Sequence, residues 1–155
     1  MISNQIEING RQRRIVVNNN EVIIFYYRQK NVPKTRMEVK REKFRILTIF
    51  SIGERKLVQC ISAKGEVVFY SINQCCKITS APVRSKIEFF YVAGEVLIKV
   101  TDDEKQSLYD ESGNLIATET EYDVTPKFSG CDVVIEKVDK STQKIYTSNL
   151  EGCPC

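Results

Sequence analysis

The sequence has 155 residues, 42% hydrophobic and 28% charged, which suits one globular domain, or at most two very small ones, and excludes a disordered or fibrous chain. It contains no His, which excludes Ser-His-Asp and Cys-His nucleophile systems and His-ligated metals. Its 23 Lys and Arg against 20 Asp and Glu leave a net charge of +3, and that small figure hides a strong asymmetry. Residues 1–56 carry 13 basic and 5 acidic groups, residues 57–100 carry 5 and 3, and residues 101–155 carry 5 and 12.

The chain opens on Met1-Ile2-Ser3-Asn4-Gln5-Ile6-Glu7, which is polar and lacks the basic, apolar and cleavage regions of a signal peptide. Cytoplasmic synthesis is therefore expected, with export as part of an assembled particle as the alternative. The longest apolar runs, such as Val22–Tyr27, span six residues, far short of the ~20 needed to cross a bilayer as a helix. No membrane span is expected.

From there period-two alternation dominates. Ile6–Ile8, Arg14–Val17 and Val22–Arg28 are rich in β-branched and aromatic residues, which suit a pleated surface. The stretch Val32–Lys43 fits either a short helix begun by Pro33 or an exposed strand or irregular connection, and the alternation of Met37 and Val39 with Glu38 favours the latter. Lys43–Ile52, Lys56–Ile61, Val67–Ile72, Cys75–Thr79, Ile87–Val92, Val96–Thr101, Gln106–Tyr109, Leu115–Thr120, Asp132–Val138 and Lys144–Thr147 continue the pattern. Asn18-Asn19-Asn20, Lys64-Gly65, Ala93-Gly94 and Ser112-Gly113 supply turn chemistry between them. Tyr122–Gly130 reads as a loop before the last two strands.

The spacing predicts a single all-β domain over residues 1–155, with a flexible tail at about 150–155. The expected architecture is an antiparallel, meander-rich sandwich or partly closed barrel of roughly ten to twelve strands, with little or no helix. A turn-then-strand cue recurs at Asn20-Glu21-Val22, Gly65-Glu66-Val67, Gly94-Glu95-Val96 and Gly113-Asn114-Leu115. Its steps of 45, 29 and 19 residues match no solenoid or propeller period. The segment Tyr109-Asp110-Glu111-Ser112-Gly113-Asn114-Leu115 resembles the tyrosine–aspartate hairpin repeat of large shell-forming toxin proteins, over these seven residues in one copy.

Six cysteines are present: Cys60, Cys75, Cys76, Cys131, Cys153 and Cys155. Without an export signal they are expected to be mostly reduced. No cofactor is predicted. The metal candidates are the tail pair Cys153 and Cys155 with Cys76 and Cys131, whose soft thiolates would select Zn or Cu(I). The one-residue gap of Cys153-Pro154-Cys155 is shorter than usual zinc spacing, and a strand would send Cys75 and Cys76 to opposite faces. The plainer reading makes Cys60, Cys131 and one of the 75/76 pair small core residues.

Arg11, Arg13, Arg14, Arg28, Lys30, Lys34, Arg36, Lys40, Arg41, Lys43 and Arg45 make the first third basic around Phe25-Tyr26-Tyr27. Basic grooves with stacking aromatics hold single-stranded nucleic acid. Aromatic triplets that fill both faces of a strand are more often buried on both sides. The acidic groups Asp102-Asp103-Glu104, Asp110-Glu111 and Glu119/Glu121 match no calcium-loop spacing, and Asp102-Asp103-Glu104-Lys105 reads as a solvated turn between two strands. No catalytic constellation stands out, so a non-enzyme is expected.

The leading expectation is a structural or assembly subunit, an oligomer or component of a multi-protein particle or filament. Its contacts would run through Arg11, Arg13, Arg14, Lys34, Arg36, Lys40 and Arg41 on one side and Asp102, Asp103, Glu104, Asp110 and Glu111 on the other. Its partners would be copies of itself or other subunits. The alternatives are a thiol-dependent metal or redox protein and a single-stranded nucleic-acid-binding module. Neutralisation of the charges between adjacent strands of one copy also accounts for the split.

Overall fold

The computed structural model describes residues 1–8, 10–18, 21–27, 37–43, 45–130 and 132–149. These residues form fifteen strands and no helix. Every neighbouring pair is antiparallel, and the strands make four sheets that follow chain order. The first contains β1 (Ile2–Ile8), β2 (Arg11–Val17), β3 (Glu21–Tyr27) and β4 (Met37–Lys43). The second contains β5 (Arg45–Ile52), β6 (Arg55–Ile61), β7 (Glu66–Ser71) and β8 (Cys76–Pro82). The third contains β9 (Lys86–Val92), β10 (Glu95–Asp102), β11 (Lys105–Asp110) and β12 (Leu115–Glu119). The fourth has three strands, β13 (Tyr122–Ser129), β14 (Asp132–Asp139) and β15 (Ile145–Asn149). The all-β, antiparallel, meander-built architecture expected from the sequence is present, and none of the sheets closes into a barrel.

Fifteen strands exceed the expected ten to twelve, and two of them fall where the sequence pattern points to an irregular connection or a loop. Of the ambiguous segment Val32–Lys43, Met37–Lys43 pairs as β4 along the whole of β3, from Tyr27 opposite Met37 to Glu21 opposite Lys43, and residues 32–36 lie outside the described residues. The expected loop at Tyr122–Gly130 is instead β13, which pairs with β14 from Tyr122 opposite Asp139 to Ser129 opposite Asp132. Pro126 disguises it, because proline cannot donate to a ladder. An edge strand tolerates proline where a central one does not, and β13 is an edge.

The meanders also recur at a spacing the turn cues concealed. Their third strands begin at Glu21, Glu66, Lys105 and Ile145, steps of 45, 39 and 40 residues. The cues at Gly94 and Gly113 introduce the second and fourth strands of the third meander, so their unequal offsets mixed different positions of one repeating unit. The unit itself recurs about every forty residues.

Two compact units make up the chain, Met1–Val83 and Arg84–Cys155. In the first, Ile15, Val17, Val22 and Ile24 from one sheet pack with Val58, Cys60, Val68 and Tyr70 from the other and with Ile72 and Cys75 from the β7–β8 turn, and Ile2, Ile6 and Tyr26 close the cluster's margin. In the second, Leu97 and Leu108 meet Val124, Val133 and Ile135. The interior strands β7 and β10 are buried at consecutive residues, Val67–Ser71 and Val96–Val100, because both of their faces are covered.

Candidate functional site

The basic side chains in the first unit are set by the register of β2. Arg13 lies opposite Tyr26 and Arg14 opposite Phe25 on β3. Each guanidinium covers its neighbour's ring, with Cζ 5.6 Å from the Tyr26 centroid and 5.7 Å from that of Phe25. Such cation–π contacts favour the pairing of these strands. Because Arg13 and Arg14 are consecutive in a strand, the two pairs occupy opposite faces of the sheet, and no single groove contains both rings. The two rings are half-buried rather than enclosed on both sides. Arg11 is exposed at the start of β2. Lys40 and Arg41 stand on β4 opposite Ile24 and Ile23. Lys34 and Arg36, with Arg28 and Lys30, lie outside the described residues.

The acidic groups in the second unit form two separate places. Asp102, Asp103 and Glu104 make the tight turn between β10 and β11, with Asp102 opposite Lys105 and Asp103 at φ 55°. Asp102 pairs with Arg84 at 3.2 Å. Lys140 donates from Nζ to the Glu104 carbonyl at 3.1 Å and the Thr120 carbonyl at 2.8 Å. Asp110 and Glu111 sit at the other end of β11, roughly 17 Å away at the rise of an extended chain. The Asp110 carboxylate is engaged in its own turn. It accepts from the Ser112 and Asn114 backbone N–H groups at 3.0 and 2.9 Å and from the Asn114 side-chain amide at 2.9 Å. Glu111 is buried. The segment that resembles a tyrosine–aspartate hairpin is thus one aspartate-organised turn, while Asp103 and Glu104 stand exposed at the other end of β11.

Further ion pairs within this unit link Lys86 and Lys99 to Glu88, Lys127 to Glu136 and Lys137 to Glu119. They do not balance it. Residues 1–83 hold 15 basic and 6 acidic groups, a net +9, and residues 84–155 hold 8 and 14, a net −6. The asymmetry read from sequence thirds therefore follows the boundary between the compact units, which cross-strand pairing inside either unit leaves in place.

The cysteines differ from expectation at one point. Cys75 does not lie in a strand with Cys76; it occupies a turn at φ 52° just before β8. That bend lets both side chains be buried, where alternation would bury one. The Cys75 thiol donates to the carbonyls of Asn4 and Ile72, at 3.4 and 3.6 Å. Burial pushes its pKa up, against smaller opposing effects from backbone hydrogen bonds and Arg13. A thiol so held is a poor nucleophile and metal ligand. Cys76 is buried at the start of β8, while Cys131, Cys153 and Cys155 lie outside the described residues.

A buried polar cluster escaped the sequence reading. Lys99, 8% exposed, donates from Nζ to the Val124 carbonyl at 2.8 Å and stands 3.8 Å from Glu88. Gln106 donates to Asp123 at 2.7 Å and accepts from the Val124 N–H at 2.8 Å. Lys99 and Gln106 share a face with Leu97 and Leu108 and attach β13 to the third sheet. The lone lysine inside Val96-Leu97-Ile98-Lys99-Val100 was the available signal.

No family model and no curated protein matches this chain. Among solved structures, dihydro-heme d1 dehydrogenase NirN in complex with DHE is similar over 90% of this chain at 12% identity, with a TM-score of 0.34. This chain spans 35% of that one. No helix of the described residues is long and apolar enough to cross a membrane.

Proposed function

We propose that the chain is a non-enzymatic structural or assembly subunit, one component of a multi-protein particle or filament, acting through protein–protein contacts. The observation that carries this reading is the division of charge between compact units, +9 over residues 1–83 against −6 over residues 84–155. A body with opposite charge on two units attracts copies head to tail. The charges speed encounter and set register, while apolar contacts supply most of the affinity. Val83, Leu115 and Phe128, each more than half exposed, are available for that second role. Contacts between unlike surfaces build rings or open filaments.

Native mass spectrometry and sedimentation of the full chain test this. The expected result is a mass above the 17.8 kDa monomer, with association weakened by about tenfold or more between roughly 0.05 and 0.5 M salt, as charge screening requires. A monomer at every salt and micromolar concentration, with no co-purifying protein, overturns it.

A further inference from the structure

Eight strands form the edges of the four sheets. An edge exposes unpaired N–H and C=O groups, and proteins protect it with charge or proline. Seven of these edges have such protection, from Glu7 on β1 to Asp123 and Pro126 on β13. The eighth, β15, reads Ile145-Tyr146-Thr147-Ser148-Asn149 and has neither. Its residues 145–148 are all exposed, with Ile145 at 63% and Tyr146 at 50%. These two neighbours point to opposite faces of the sheet, so an incoming strand would find an apolar side chain on each. The Tyr146 ring is positioned by an edge-on contact with Tyr122, 5.7 Å between centroids.

The repeat places this edge at a particular position. β15 is the third strand of its meander, and in the other three meanders a fourth strand pairs with the third. Among the described residues, none does so here.

We propose that β15 pairs with β15 of a second copy, antiparallel and about a two-fold axis through Thr147, to form a continuous six-stranded sheet. The charge pattern selects this occupant. In a second copy, β15 is the edge without charge or proline, and two such strands meet with no like charges opposed. The register sets Ile145 opposite Asn149, Tyr146 opposite Ser148, and Thr147 opposite itself, where threonine hydroxyls can bond across strands. A two-fold contact of this kind is the commonest form of self-association. The inference rests on the reading of the chain as an assembly subunit and adds a contact distinct from the head-to-tail one.

The test is sedimentation of the full chain at physiological salt as wild type, Thr147→Lys, Thr147→Glu, and an equimolar mixture of the two variants. Circular dichroism and thermal melting serve as checks on folding. The wild type is expected to dimerise, with each folded variant weakened about tenfold or more by like charges meeting at the axis. The mixture should recover association, because Lys then faces Glu. That recovery occurs only if residue 147 meets its own counterpart. Association that falls with salt but ignores both substitutions overturns the edge pairing and leaves the assembly reading intact. A wild-type monomer overturns the edge pairing, and it overturns the assembly reading as well when no protein co-purifies with the chain.

Discussion

At the scale of the residue, turn geometry asks for conformations the sequence does not always favour. The β9–β10 hairpin closes on Ala93 and Gly94, with φ 53° and 76°, the doubly left-handed pattern of a type I′ turn. Glycine adopts it freely, whereas alanine crowds its Cβ against the backbone. Ala93→Asn should therefore stabilise the protein by about 0.5–1 kcal/mol, measured by chemical denaturation. Asp139 illustrates the opposite case, a residue well suited to its turn. Its Oδ1 accepts from the Ser141 hydroxyl and N–H, each at 2.8 Å, and from the Thr142 N–H at 3.1 Å. The Ser141 hydroxyl is the largest influence holding its carboxyl below the usual range. A depressed pKa means that the native state prefers the charged form. Its stabilisation is complete above the unfolded carboxyl's pKa and is lost as pH falls through the native one. Melting temperatures of wild type and Asp139→Asn should differ near neutral pH and converge in acid. A gap independent of pH would remove this account.

At the scale of the element, polar groups inside the second unit hold β13 alongside its apolar contacts. Lys99→Met keeps much of the side-chain volume but leaves the Val124 carbonyl without its Nζ donor. A cost of about 1–3 kcal/mol is expected for that orphaned acceptor, read as a lower urea midpoint with unchanged slope. The result discriminates between two effects, because replacing a buried charge by a methionine can be neutral when nothing is left unsatisfied. The same element shows why sequence reading failed locally. Tyr122–Ser129 alternates weakly and contains proline, and only its place at a sheet edge makes that proline compatible with a strand. Similarly, Met37–Lys43 contains five charged residues, so its strand character comes from a ladder with the strongly apolar β3 rather than from its own composition.

At the scale of the molecule, the net charge of +3 is the remainder of two larger, opposite ones. If that division drives association, changing its sign locally should show it. Replacing Glu104, exposed in the β10–β11 turn and next to the left-handed position at Asp103 rather than in it, with Lys should reduce salt-sensitive association by about threefold or more, with little change in melting temperature. An unchanged association would move the contact elsewhere on the second unit. Asp110 would be a poor choice for this test, since its carboxylate organises the turn that contains it.

The sequence by itself determined the strand-rich character, most hairpins and the polarity of the two ends, because alternation, β-branching and glycine placement act over a few neighbouring residues. Tertiary structure decided the rest. It divided fifteen strands into four recurring meanders, buried Cys75 through a left-handed turn, drew Lys99 into a core, and separated Asp102–Glu104 from Asp110–Glu111 along one strand. Among the described residues, it also left β15 as a sheet edge without charge or proline. Each of these depends on which residues become neighbours across ladders and between sheets, and that is a long-range property no local pattern encodes.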